Sequence, residues 1–207
     1  MALAAGGGRG LVRPFPGTTA RGRGPAGQNA VLGMLIFLGA EAMFFAGLIS
    51  AIVVLRTGAG EWPPPDQPRF PVAVTAVNTL ILLLSGVTMI RARRAIRGGR
   101  SAALTQGLGL TAVLGTTFLV IQGIEWVRLV AHGLNVSHGV YGGLFVAAIS
   151  CHGLHVAGGV AAVLAAWAGA RRRRFTARDH AAVTAVQLYW LFVVGVWPIL
   201  YGLVYLW

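Results

Sequence analysis

Five long apolar stretches, each set off from the next by a polar, glycine-rich or proline-rich segment, make up most of this chain. They cover about residues 30–55, 71–90, 104–130, 139–168 and 181–207. A helix rising about 1.5 Å per residue needs about 20 apolar residues to cross a bilayer core. Each stretch meets that length, so the pattern predicts an all-α integral membrane protein with five transmembrane helices in a bundle. Residues 1–27 read differently: Gly6-Gly7-Gly8-Arg9, Arg13-Pro14 and Arg21-Gly22-Arg23-Gly24-Pro25 can bury no core. They are expected to form a flexible basic tail ahead of a single membrane domain over 28–207. The tail is a poor signal peptide, because the apolar run behind it is too long and lacks a cleavage site.

The arginines give the stretches a direction. Four lie in the tail, five between the second and third stretches (Arg91, Arg93, Arg94, Arg97, Arg100) and five between the fourth and fifth (Arg171 to Arg174, and Arg178). The first loop carries Arg56 and Arg69 against Glu61 and Asp66, and the turn 131–138 carries none. By the positive-inside rule this alternation places the N-terminus in the cytoplasm and the C-terminus outside. It also accounts for the net charge of +12, since all 17 basic residues are arginine and most sit between spans. That distribution argues against a nucleic-acid partner. In the first loop, Pro63-Pro64-Pro65 cannot continue a helix, and Trp62 beside them suits the headgroup zone. The one cysteine, Cys151, excludes an internal disulfide and reads as a small space-filler within a span.

Few polar groups lie inside the spans, and these are the candidates for function. His152 and His155 sit in the run Ile149-Ser-Cys-His-Gly-Leu-His-Val156, three residues apart and so projecting from one side of the fourth helix. Glu41, in Phe37-Leu-Gly-Ala-Glu-Ala-Met-Phe-Phe45, lies at a similar depth on the first. A carboxylate in hydrocarbon must be protonated, paired or hydrated. A hydrogen bond from Glu41 to the histidines would tie the first helix to the fourth. The same residues also allow a carboxylate that takes part in proton movement; the tether is the reading adopted for Glu41, His152 and His155 as an interior polar site. Gln122 and Glu125 form a possible secondary polar site near the end of the third helix, an acid at the membrane interface with Arg128 as a partner. Trp126, Trp62, Trp190 and Trp197 are candidates for lipid or subunit contact, and Pro198 should kink or break the last helix. Gly107, Thr111 and Gly115, and Gly139 and Gly143, have the small-residue spacing that brings helices close. One His-x-x-His with a single nearby acid falls short of the converging ligand sets of membrane metalloenzymes, so no metal site is expected. No internal repeat suggests a transporter.

Taken in order, these stretches resemble subunit III of the haem–copper oxidases, which include cytochrome c oxidase. The resemblance covers about residues 28–207. It rests on Gly39-Ala-Glu41-Ala-Met-Phe-Phe45, Trp62-Pro-Pro64, Asn78-Thr79 with Leu84-Ser-Gly86, and Gln122 with Glu125-Trp126. It continues through Gly139-Val-Tyr-Gly142, Cys151-His-Gly-Leu-His-Val156 with Gly159, Phe175-Thr176, His180, and Tyr189-Trp190 to Trp197 and Tyr201. The resemblance implies a subunit without a redox centre of its own, in direct contact with oxidase subunit I and in one complex with subunit II. Haem and copper would then belong to the partner subunits, while this chain would bind phospholipid and support proton uptake. It implies a multi-pass protein of the bacterial cytoplasmic membrane. Longer members of the family have seven spans, and the family's usual Trp-His-Phe-Val-Asp reads Trp190-Leu191-Phe192-Val193-Val194 here. These departures also fit a subunit III-like accessory protein of a quinol oxidase or nitric oxide reductase system.

Overall fold

The structure, a computed structural model, describes residues 25–58, 72–131 and 140–203. Its five helices are α1 (Pro25–Gly58), α2 (Val72–Arg97), α3 (Ser101–Ala131), α4 (Val140–Arg171) and α5 (Ala181–Tyr201). All five are long and apolar enough to cross a membrane, and the described residues contain no strand. The expected membrane-spanning helical fold is therefore the observed one. The expected tail (apart from its last residues, where α1 begins at Pro25), Trp62 with its prolines, Gly139 and residues 204–207 lie outside the described residues.

The helices outrun the apolar stretches where arginine closes them. α2 continues from Ile90 to Arg97 and α4 from Ala168 to Arg171. Arginine is a good helix former, and a cation near a helix C-terminus interacts well with the unpaired carbonyls there. Both helices end in the same backbone turn. Arg100 N–H donates to Ala95 O at 2.9 Å with Gly99 at φ 74°, and Arg174 N–H donates to Gly169 O at 3.1 Å with Arg173 at φ 53°. Glycine suits such a left-handed residue, whereas Arg173 holds it without that freedom. α5 does not break at Pro198 as expected but runs on to Tyr201. The missing N–H of the proline removes one bond of the helix ladder, and the helical backbone continues past it.

Four helices close a ring, with α2 against α3, α3 against α4, α4 against α5 and α5 back against α2; α1 lies outside it, on α4 and α5. The inside of the ring is filled from α5. Trp190 and Trp197 are both 0% exposed. This corrects the expectation that they face lipid or another subunit. Their indoles are large enough to span the ring, and each N–H finds a hydroxyl on α2: Trp190 Nε1 donates to Ser85 Oγ at 3.2 Å and Trp197 Nε1 to Thr79 Oγ1 at 2.9 Å. Glycines make room for the first ring. A Cβ at Gly115 of α3 would lie 2.5 Å from Trp190 Cη2, and one at Gly159 of α4 would lie 2.8 Å from its Cε3.

The small-residue spacing on α3 has two uses. Gly107 brings α3 against α2, since a Cβ there would meet Ala92 Cβ at 2.7 Å, while Gly115 receives the indole. Thr111 between them is 2.7 Å from Thr88 Oγ1 on α2. Gly143 on α4 has nothing within 4 Å of an added Cβ, so its spacing makes no close approach.

Candidate functional site

α1 meets the ring along a narrow stripe. Phe45 and Ile52 are buried on it, with Leu48 and Glu41 partly buried, at the three-and-four spacing of one helix side. Its other sides carry exposed Leu32, Ile36, Met43 and Val54. Glu41 thus enters the one part of α1 that touches protein. Its Oε2 lies 2.9 Å from His155 Nε2 on α4. The other ring nitrogen, Nδ1, is 2.6 Å from the carbonyl oxygen of Cys151 one turn back. A carbonyl only accepts, so Nδ1 carries a hydrogen. One proton then remains for the space between Nε2 and Oε2: on the acid, with a neutral ring, or on the ring, with a carboxylate. The pair has no net charge either way, which suits a group removed from water. α5 completes the junction, with Tyr189 OH donating to His155 O at 3.1 Å.

His152 does not join this contact. Three residues on a helix differ by about 60° in direction, enough to turn His152 away from α1 and into the ring. There it is 1% exposed, stacked on Trp197 at 5.0 Å between ring centres and edge-on to Phe118 at 6.4 Å. Both its ring nitrogens are without a hydrogen-bond partner. The expected three-residue site is therefore two places: a polar junction of Glu41 with His155, and an aromatic nest around His152. Phe45 stands beside both, at 5.1 Å from the His155 ring and 6.4 Å from that of His152.

The secondary polar residues are more enclosed by protein than an acid facing water should be. Glu125 is only 7% exposed, and its Oε1 accepts from Arg128 Nη1 at 2.9 Å. Gln122 is buried as well, and its Oε1 accepts from Asn78 Nδ2 of α2 at 3.4 Å. The same Asn78 amide donates to Phe118 O at 3.1 Å. Asn78 and Tyr189 belong to the polar framework although the sequence reading gave them no role. An amide in the middle of an apolar stretch is a legible signal, because hydrocarbon offers it no partner. The Tyr189 hydroxyl is hidden among the aromatics of α5. Among the described residues, no three His, Cys, Asp or Glu side chains converge as a metal centre requires.

Known proteins have similar sequences. The sequence model of the family described as "Cytochrome c oxidase subunit III" matches residues 24–207. The chain is 33% identical over 177 residues to cytochrome c oxidase subunit 3 of Synechocystis sp., covering 85% of this chain and 75% of that one. With the mouse (Mus musculus) protein of the same name it shares 33% over 181 residues, 84% of this chain and 68% of the relative. With the probable cytochrome c oxidase subunit 3 of Mycobacterium leprae it shares 33% over 175 residues, 84% of this chain and 86% of the relative. The ordered motifs, the five spans and these matches agree: the chain belongs to the cytochrome c oxidase subunit III family, membrane subunits that work in complex with other oxidase subunits.

Proposed function

We propose that this chain is a non-catalytic subunit III of a haem–copper terminal oxidase in the bacterial cytoplasmic membrane. It packs on subunit I beside subunit II, holds phospholipid and supports sustained proton uptake, while haem and copper stay in the partner subunits. Its N-terminus and the two arginine-rich turns face the cytoplasm, as the arginine distribution favours. The observation that carries the reading is the Glu41–His155 contact. It is made at the single buried stripe of α1, is neutral overall and is joined by α5. Such a junction suits a part that braces its neighbours.

The test is Glu41→Ala in the assembled oxidase. Subunit III and its co-purifying phospholipid should be lost more readily on detergent washing, with the haem spectrum of the remaining complex unchanged. Disappearance of the haem signal from a complex that still contains every subunit would contradict the proposal.

A further inference from the structure

An apolar groove of about 580 Å³ lies between α3 and α4. Its α3 wall runs from Gly109 to Ile121, and Leu164 and Trp167 stand opposite on α4. Leu164 is nine residues past His155 and so points half a turn away from α1, which makes the groove separate from the Glu41 junction. Val113 and Leu164 on its walls are exposed, so it opens sideways, toward the acyl chains. At about 1.5 Å per residue, the wall from Gly109 to Ile121 is about 18 Å long. One leaflet's share of a hydrocarbon core about 30 Å thick is about 15 Å. The groove thus has the length of a single acyl-chain layer, and it starts from the arginine-rich end.

That end is marked by an aromatic ring and a cation. Trp167 lies over Gly109, where an added Cβ would come within 3.1 Å of the indole Nε1. The guanidinium of Arg171, one helical turn on, is stacked over the same indole at 5.0 Å. Stacking uses the face of a guanidinium and leaves the N–H donors in its plane for an anion such as phosphate. Arg171 is exposed, and among the described residues no carboxylate lies within ion-pair distance of it. The surrounding charge has one sign. Arg171 to Arg174 and Arg178 are accompanied by a single acid, Asp179, and α3 starts at the same end with no acid in its first turn. A choline or ethanolamine head would bring a cation of its own against these arginines. A phosphate whose head carries no cation brings a net negative charge, which this end lacks.

We propose that the groove holds one acyl chain of an anionic glycerophospholipid from the arginine-rich leaflet, with the lipid phosphate accepting hydrogen bonds from Arg171. The assignment rests on the reading that this chain holds phospholipid, and it gives that lipid a place and a charge.

The experiment titrates the purified, delipidated oxidase complex with dioleoylphosphatidylglycerol and, separately, with dioleoylphosphatidylcholine, and counts bound lipids by native mass spectrometry. The wild-type complex should take up one phosphatidylglycerol at least about tenfold more tightly than phosphatidylcholine, the weight of a hydrogen bond to a charged group. Arg171→Gln should remove that preference. Thr116→Phe puts a ring into the groove from an exposed wall position and should abolish the tight site. Arg91→Gln takes the same charge from α2, diagonal to α4 in the ring. It should leave the affinity within about twofold, since salt screens exposed charges beyond about 10 Å. Should one of the two groove variants fail to assemble, the other decides the matter. Equal binding of the two lipids, equal loss in Arg171→Gln and Arg91→Gln, or a tight site unaltered by Thr116→Phe overturns this site and leaves the phospholipid-holding reading standing. Failure of the wild-type complex to bind either lipid overturns both.

Discussion

α1 and α5 are both apolar on every side, yet one lies at the margin of the molecule and the other at its centre. α5 inserts two indoles into the ring, where glycines on α3 and α4 receive Trp190 and hydroxyls on α2 receive both N–H groups. α1 offers a single stripe and the Glu41–His155 bond to α4. Lipid tails are as apolar as leucine, so hydrophobicity does not sort such helices. Shape and a few hydrogen bonds do. The contrast shows that position in this bundle follows from where a side chain has a slot waiting, and that a helix without slots stays outside.

The contrast breaks first at the slot. Trp190→Ala should empty the centre of the ring and cost about 3–5 kcal/mol, the range for removing a large buried aromatic. Thermal unfolding in detergent should show the loss, with α2 separating from α5. Gly115→Ala tests the same place from the other side. Its methyl would meet the rigid indole at 2.5 Å, so overpacking should cost about 1–3 kcal/mol in the same assay. The smallest change is expected at the margin. Glu41→Leu keeps the bulk and leaves His155 Nε2 without its partner, and polar contacts between membrane helices average about 0.6 kcal/mol with a maximum near 1.7. The ring should therefore keep its unfolding temperature to within a few degrees while amide exchange in α1 rises. If Glu41→Leu instead unfolded the whole bundle as readily as Trp190→Ala, the division between centre and margin would be wrong.

Span number and extent were readable because length and hydropathy report directly on the bilayer. That Glu41 and His155 lie level with each other was readable for the same reason, since every residue in a helix advances by a fixed rise. Facing was not readable. Positions toward lipid and toward protein are equally apolar on α1 and α4, so nothing in the pattern separates Phe45, which is buried, from Met43, which is exposed. That is why His152 and His155 read as one pair although they point to different neighbours. Trp190 and Trp197 were misplaced through the same ambiguity. An aromatic-rich helix suits a lipid face as well as a core, and for Trp190 the deciding positions, Gly115 and Gly159, lie on other helices.

The shared proton of the α1–α4 junction has an electrical consequence. A membrane potential does about 2.3 kcal/mol of work per 100 mV on an elementary charge carried across the whole bilayer. Glu41 and His155 together carry no charge, and any shift of the proton is confined to a gap of 2.9 Å, roughly a tenth of a hydrocarbon core about 30 Å thick. Energising the membrane therefore exerts almost no pull on this link. The joint holding the outermost helix is as firm in a respiring cell as in a de-energised one.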